Sequence, residues 1–405
     1  MSFMNRSPRR VWNFHPASFN IRTAEAEIRK LALRGPDLVR VLLVSDGEGY
    51  TSEQQFAPIG RHAGLLRERL GMVAQYRKLD KAVLIDPCVL AGFDVIGLKL
   101  DFRTPVADVE RIVQHFAKSL LGTATKLVYF DGDDDSNVQW HGVISAVHLY
   151  VKKHVFADDK AYLRTYLGKN NLTDYVAHRH GVSFAGDIIP SSGGLTPGNR
   201  AKIHLGWNIA LDDKIFELSK KVGSRFPSKR DIDISCRAYV QPAMWTHGLR
   251  NSALQRMEAL SAKLNILAPR DRVSQDEYYA EMQRSKICVS PFGFGELCWR
   301  DFEAILSGCL LVKPDMGHLR TSPNLFIPHV TYVPVRWDYS DLEAQCAPYL
   351  RNEEERLRIV ERARATLLKS LEPEYFVNRF AALLTRLKSG RQPVVAAAQA
   401  AGQYP

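Results

Sequence analysis

The sequence predicts an α/β protein built from two successive sheet-and-helix units, and three observations lead there. At 405 residues the chain exceeds what one ordinary hydrophobic core organises, so two domains are expected. Apolar runs suited to strands buried on both faces alternate with segments of helical periodicity. In the second half, a buried strand passes through a glycine-bearing turn straight into a helix.

The first half carries the alternation in order. Residues 38–46 (LVRVLLVSD) form a continuous apolar run ending at Asp46-Gly47, a strand buried on both faces. Residues 53–70 have helical spacing, 93–100 (FDVIGLKL) read as a strand, and 107–121 as an amphipathic helix stopped by Gly122. A short strand at 126–130 (KLVYF) runs into the acidic turn Asp131-Gly132-Asp133-Asp134-Asp135. Residues 143–155 read as extended, and the Gly-, Pro- and Ser-rich stretch 190–200 as a loop.

The basic segment 220–230 (KKVGSRFPSKR) is the expected boundary between the units. Beyond it come a strand at 231–240, a helix at 250–264 and a helix at 275–284 opened by the capping pair Ser274 and Glu277. A strand at 286–290, a helix at 297–307, Gly308 as its stop and strands at 309–313 and 330–335 follow. Ser340 and Glu343 repeat the capping pattern, and helices fill 352–387. The Ala- and Gln-rich tail 389–405 lacks a core-facing pattern and is expected to be disordered.

Composition narrows the function. No apolar run reaches the roughly 18 residues that span a bilayer, and the basic N-terminus lacks the apolar stretch of a secretory signal. A cytoplasmic protein is the expectation. Six cysteines without a CxxC pair point to a reducing compartment and no zinc site. The net charge of +11 suggests an acidic partner. Nucleic acid is disfavoured among such partners, because the basic residues are dispersed and no aromatic-plus-basic block accompanies them.

The chemistry concentrates in residues 285–315, SKICVSPFGFGELCWRDFEAILSGCLLVKPD. After Ser290-Pro291, Gly293 and Gly295 let the backbone turn sharply, and the helix that follows aims its unpaired N–H groups into the turn. That is an anion site suited to a diphosphate. Arg300 stands in the first turns of the helix, and Glu303 lies on nearly the same face, where a carboxylate can accept two ribose hydroxyls. A strand, a glycine turn and a helix also occur where nothing binds, so the combination carries more than any single residue.

The run from Tyr278 to Asp315 resembles the donor-binding half of GT-B glycosyltransferases, most of all the exostosin-like and related bacterial ones. The resemblance lies in the glycine loop, Arg300 and the run Phe302-Glu303-Ala304 to Gly308-Cys309, and extends from 231 to about 368. It implies two Rossmann-like domains facing a central cleft. It also implies that Glu303 holds the nucleotide ribose, while the loop from Gly293 to Glu296 and Arg300 face the diphosphate and sugar. Many retaining members carry two glutamates eight positions apart; here Gly295 stands at that position and Glu296 is displaced by one, so the retaining assignment is not carried over.

Other residues complete the candidate set. Asp133, Asp134 and Asp135 are expected either to face the acceptor, one of them as general base, or to form a solvated acidic turn; Asp46 is the second candidate base. The same cluster invites a metal reading, but it lies in the half opposite the donor pattern, and the resemblance implies metal-independent transfer without a cofactor. Arg237, at the end of a second-half strand, suits either a phosphate or a structural ion pair. His318 follows a strand that should border the donor.

The expected organisation is an acceptor-binding domain over 1–220, a nucleotide-sugar-binding domain over 221–370, and a helix over 371–388 returning to the first. The expected activity is transfer of a sugar from a nucleotide-sugar to a glycan or lipid-linked glycan in bacterial surface polysaccharide synthesis, with peripheral contact to an anionic membrane. A non-catalytic binding or scaffold protein and a nucleic-acid-binding protein are the rival readings.

Overall fold

The computed structural model describes residues 37–389 apart from 48–49, 83–84, 185–194, 224–225 and 228. The expectations for the tail beyond 389 and for the first part of the 190–200 loop lie outside these residues.

Two parallel sheets organise the chain. The first contains β1 (Val39–Ser45), β2 (Met72–Lys78), β3 (Val95–Lys99), β4 (Lys126–Asp131) and β5 (Leu149–Lys152), then, past the short β6 (His154–Phe156), β7 (Ile203–Leu205). Their order is β2-β1-β3-β4-β5-β7, every pairing parallel. The second contains β8 (Ile232–Ser235), β9 (Ile266–Leu267), β10 (Ser285–Val289) and β11 (Leu310–Pro314), then, past β12 (Leu319–Thr321), β13 (Val333–Val335). Its order is β13-β11-β10-β8-β9, again all parallel. These are two Rossmann-like α/β arrangements. Strand order reverses between β1 and β3 in one and between β8 and β10 in the other. Such reversals send the connecting chains to opposite faces and open a crevice at the strands' carboxyl ends.

The apolar runs are buried as both-faced strands should be: Val41 to Val44 in β1 and Leu310 to Val312 in β11 are at most 1% exposed. Gly308 stops the helix Trp299–Leu306 at φ +78°, and a Cβ there would lie 2.3 Å from the Phe226 ring, so only glycine fits on both counts.

A third, two-stranded sheet joins the halves. β6 pairs antiparallel with β12, His154 opposite Thr321 and Phe156 opposite Leu319. The last helix, Pro373–Ser389, leaves the second sheet and packs on the first. Phe376 meets the Trp207 ring at 4.9 Å, and the Arg379 guanidinium donates to the carbonyl of Gly206 at 3.1 Å.

Three local expectations change. The stretch 53–70 divides into helices Tyr50–Arg61 and Ala63–Leu70, broken at His62. The extended reading of 143–155 fails in its first part, where the helix His141–Ala146 precedes β5. Ser340 does not cap the helix Leu342–Arg351; that place falls to Asp341, whose carboxylate instead accepts from the Arg336 amide at 2.9 Å.

Candidate functional site

The loop from Ser290 to Cys298 lies at the reversal point of the second sheet. The Gly293 amide donates to the Gly295 carbonyl at 3.0 Å, closing a tight turn. Asp301, fully buried in the first turn of the helix Trp299–Leu306, fixes the loop's base. It accepts from Ser290 Oγ at 2.6 Å, Lys313 Nζ at 3.0 Å and the Cys298 amide at 2.9 Å. The helix therefore supplies its own carboxylate to its N-terminus, where the sequence suggested a phosphate. Ser290 is a support for Asp301, at 0% exposure.

Two arginines flank the loop. Arg250, from the helix His247–Leu260, donates from Nη1 to the Tyr239 carbonyl at 2.7 Å, and its Nη2 would meet a Cβ on Gly293 at 3.4 Å. Arg300 is half-buried on the helix after the loop, its Nε without a partner. Burial first, and then the neighbouring Arg300, hold the Arg250 guanidinium below its ordinary pKa. Among the described residues neither arginine has a carboxylate within ion-pair distance. Two adjacent cations with no counter-charge, beside a glycine turn at a switch point, make a place for a polyanion.

Arg237 takes the other of its two readings. Both arms of its guanidinium are held by the Glu281 carboxylate, and Nη1 donates to the Asp271 carbonyl at 3.0 Å, a structural ion pair. Glu303 is 3% exposed and also engaged. It accepts from the hydroxyls of Tyr278 and Tyr279 at 3.1 Å each and pairs with Lys214 Nζ at 2.6 Å.

Glu296 and His318 come together where the halves meet. Glu296 is 0% exposed, and its Oε1 lies 3.2 Å from His318 Nε2. On the other side His154 of β6 places Nε2 3.8 Å from Glu296 Oε2. Glu296 Oε2, both nitrogens of His154 and Nδ1 of His318 have no hydrogen-bond partner. Burial, and after it Lys153, Lys152 and His318, hold the His154 imidazole well below its ordinary pKa, so it is neutral. The result is a water-excluded group of acceptors and potential N–H donors, suited to the hydroxyls of an uncharged ring.

The acidic turn faces this group. A Cβ on Gly295 would lie 2.7 Å from the Asp134 carbonyl oxygen, so the turn rests directly on the glycine loop. The turn is not a solvated acidic loop. Asp133 pairs with Lys99 at 2.7 Å, Asp131 with Lys152 at 2.6 Å and Asp134 with Lys153, while Asp135 accepts from Asn170 Nδ2 at 2.9 Å. Burial pushes the Asp133 carboxyl up to about 6 against the pull of Lys99. Asp46 lies at the end of β1 and accepts from the Asp101 amide at 2.6 Å. Among the described residues no group of three or more His, Cys, Asp or Glu is placed to hold a metal ion, and no helix is long and apolar enough to cross a membrane.

Residues 250–382 match a protein family described as glycosyl transferase-like. The matched segment resembles a glycosyl transferase-like domain. It begins at Arg250 and contains the glycine loop, Arg300, Glu303 and His318. Among solved structures, the chain is similar to a glycosyltransferase from Rickettsia africae (10% identity, 87% of this chain and 100% of that one, TM-score 0.47). An α,α-trehalose-phosphate synthase (UDP-forming) from Burkholderia vietnamiensis matches at 12% identity over 86% of this chain and 100% of that one, with a TM-score of 0.42. An α-glucosyltransferase in complex with UDP and a 13-mer DNA matches at 7% over 87% and 100%, with a TM-score of 0.46. No curated protein matches in sequence.

Several residues of the site lie outside what sequence reasoning singled out. Arg250 was legible only as part of a helix. Lys214, Tyr278 and Tyr279 reach Glu303 from two different helices, and no spacing announces that. His154 lies in the short basic run KKH (152–154), whose Lys152, Lys153 and His154 are all at most 2% exposed.

Proposed function

We propose that the chain transfers a sugar from a nucleotide-sugar donor to a hydroxyl-bearing acceptor, without a metal ion. The single observation that carries this reading is the pair Arg250 and Arg300, uncompensated beside the Gly293–Gly295 turn in a glycosyl transferase-like segment.

The chemistry divides among named groups. Departure of a nucleoside diphosphate develops negative charge, which Arg250 and Arg300 stabilise from fixed positions. The transferred sugar lies toward Glu296, His318 and His154, whose unpartnered atoms take its hydroxyls. The acceptor approaches from the first sheet, past the Asp131–Asp135 turn and Asp46. Contact between Asp134 and Gly295 excludes water, which protects the activated sugar from hydrolysis. In this division the first domain runs to about residue 220, the second to about 370, and the last helix ties them together. The biological setting is bacterial surface polysaccharide synthesis on a glycan or lipid-linked glycan, and the net charge of +11 suits work at an anionic membrane surface.

The test is a thermal-shift screen of UDP-, GDP-, dTDP- and CMP-sugars, followed by assay of donor turnover. Arg250→Ala and Arg300→Ala should weaken a nucleoside diphosphate far more than the bare nucleoside. Parent-like affinity for the diphosphate in both folded variants would place the donor elsewhere.

A further inference from the structure

The carboxyl edge of the first sheet holds polar atoms that the donor site does not use. Thr51 and Gln55 lie one turn apart on one face of the helix Tyr50–Arg61, which starts just beyond β1. They are 2% and 1% exposed, yet Thr51 Oγ1 and Gln55 Oε1 have no hydrogen-bond partner. Gln55 is pressed against the acidic turn: a Cβ on Gly132 would stand 2.4 Å from Gln55 Cγ. The next residue, Asp133, is 3% exposed. Its Oδ1 accepts from Lys99 at 2.7 Å, while its Oδ2 has no partner.

Buried polar atoms are nearly always paired, because leaving one unpaired is costly. Three unpaired ones gather here at the reversal point between β1 and β3, where open α/β sheets take ligands. Their chemistry selects the ligand. Gln55 Oε1 and an ionised Asp133 Oδ2 only accept, and Thr51 Oγ1 accepts or donates. Lys99, at 0% exposure, is committed to Asp133 and offers no charge to a phosphate or carboxylate, which the ionised Asp133 would repel.

We propose that Thr51, Gln55 and Asp133 form a hydroxyl-binding subsite for a neutral sugar, the acceptor end of the transfer reaction. The proposal rests on the transferase reading only for the word acceptor; the subsite binds sugar with or without a donor.

The full chain is titrated, without nucleotide, with glucose, galactose, mannose, N-acetylglucosamine and glucose 6-phosphate, binding being read by saturation-transfer NMR. At least one neutral sugar should bind, glucose 6-phosphate should bind more weakly than glucose, and Thr51→Val and Gln55→Met should each weaken the neutral sugar by roughly 5-fold or more. Thr51→Val, which exchanges an unpaired buried hydroxyl for a methyl group, should unfold at a temperature no lower than the parent. The proposal is overturned if no neutral sugar binds, if the phosphorylated sugar binds as well as its parent sugar, or if both variants bind like the parent. A lower unfolding temperature for Thr51→Val would also overturn it, by making that hydroxyl structural. Binding of UDP and GDP in parallel titrations reports on the donor reading separately.

Discussion

Gly295 and Asp134 belong to opposite sheets and touch: a Cβ on Gly295 would stand 2.7 Å from the Asp134 main-chain oxygen and 2.8 Å from its Cβ. One of those atoms is backbone, so the acidic turn itself must move to admit even a methyl group. Gly295→Ala is therefore a wedge in the seam. Overpacking costs about 1–3 kcal/mol, or roughly 5- to 150-fold in the balance between closed and wedged arrangements. Turnover should fall by such a factor while affinity for a nucleoside diphosphate, which depends on Arg250 and Arg300, holds. Gly293→Ala is the control, because its Cβ meets nothing closer than Cys298 Sγ at 3.3 Å and Arg250 Nη2 at 3.4 Å. Equal losses in the two variants would mean that the seam is not what limits transfer.

Glu303→Gln tests whether that carboxylate serves the fold or a ribose. Glutamine keeps the size and can still accept from a tyrosine hydroxyl, but it loses the charge opposite Lys214. Removing one partner of a fully buried pair costs about 3–5 kcal/mol. Lys214 keeps some water and lies 4.5 Å from the centre of the Trp299 ring, so about 1–3 kcal/mol is expected here. The ligand-free protein should lose several degrees of Tm in calorimetry. An unchanged Tm together with roughly 10-fold weaker nucleoside binding would instead assign Glu303 to the ribose.

The lysines of the acidic turn make a third prediction. Ammonium groups of Lys99, Lys152 and Lys153 already neutralise Asp133, Asp131 and Asp134. EDTA should leave nucleotide affinity unchanged, and restoration of lost binding by manganese would refute this. Asp133→Asn strands Lys99, whose side chain is 0% exposed, and should cost about 3–5 kcal/mol. Asp134→Asn should cost less, since that carboxylate is 29% exposed. The reverse order of Tm losses would show that the Lys99 pair does not hold the turn.

How much of this was legible follows from what sequence patterns encode. The strands announced themselves as apolar runs, and the helix Gln275–Arg284 came with its cap, Ser274 Oγ accepting from the Glu277 amide at 3.2 Å. The glycine loop was legible because a strand, two glycines and a helix constrain the backbone locally. Residues 143–146 misled, since a short apolar run suits a buried helix as well as a strand. Glu296 and His318 were each singled out, but their meeting with His154 could not be read: it exists only because β6 pairs with β12 across the two halves. The burial of the lysines beside the acidic turn was not legible for a related reason. Charge runs are usually solvated, and only a partner brought from another strand allows burial.

Acid should loosen the terminal helix Pro373–Ser389 before it unfolds the sheets. His62 lies 5.6 Å from the Phe376 ring of that helix, and burial, then Arg61, push its pKa down to about 4 from the ordinary 6.5. His204 is pushed down to about 3 by burial, then by Arg379 and Arg386 of the same helix. In the unfolded chain both imidazoles take a proton below about pH 6.5, whereas the folded protein refuses it until far lower. Their contribution to stability is therefore complete above pH 6.5, is lost progressively as pH falls toward 4, and changes by at most about 1.4 kcal/mol per pH unit for each. Asp133, pushed up to about 6, works with the opposite sign in the same window, so a global Tm would blend the two effects. Hydrogen exchange separates them by location. Between pH 6.5 and 4.5, after correction for intrinsic rates, amides of 373–389 should lose protection while those of β1 keep theirs. His62→Gln should reduce that pH dependence. If β1 and the terminal helix lose protection together, or the variant behaves like the parent, the histidines do not govern the docking of this helix.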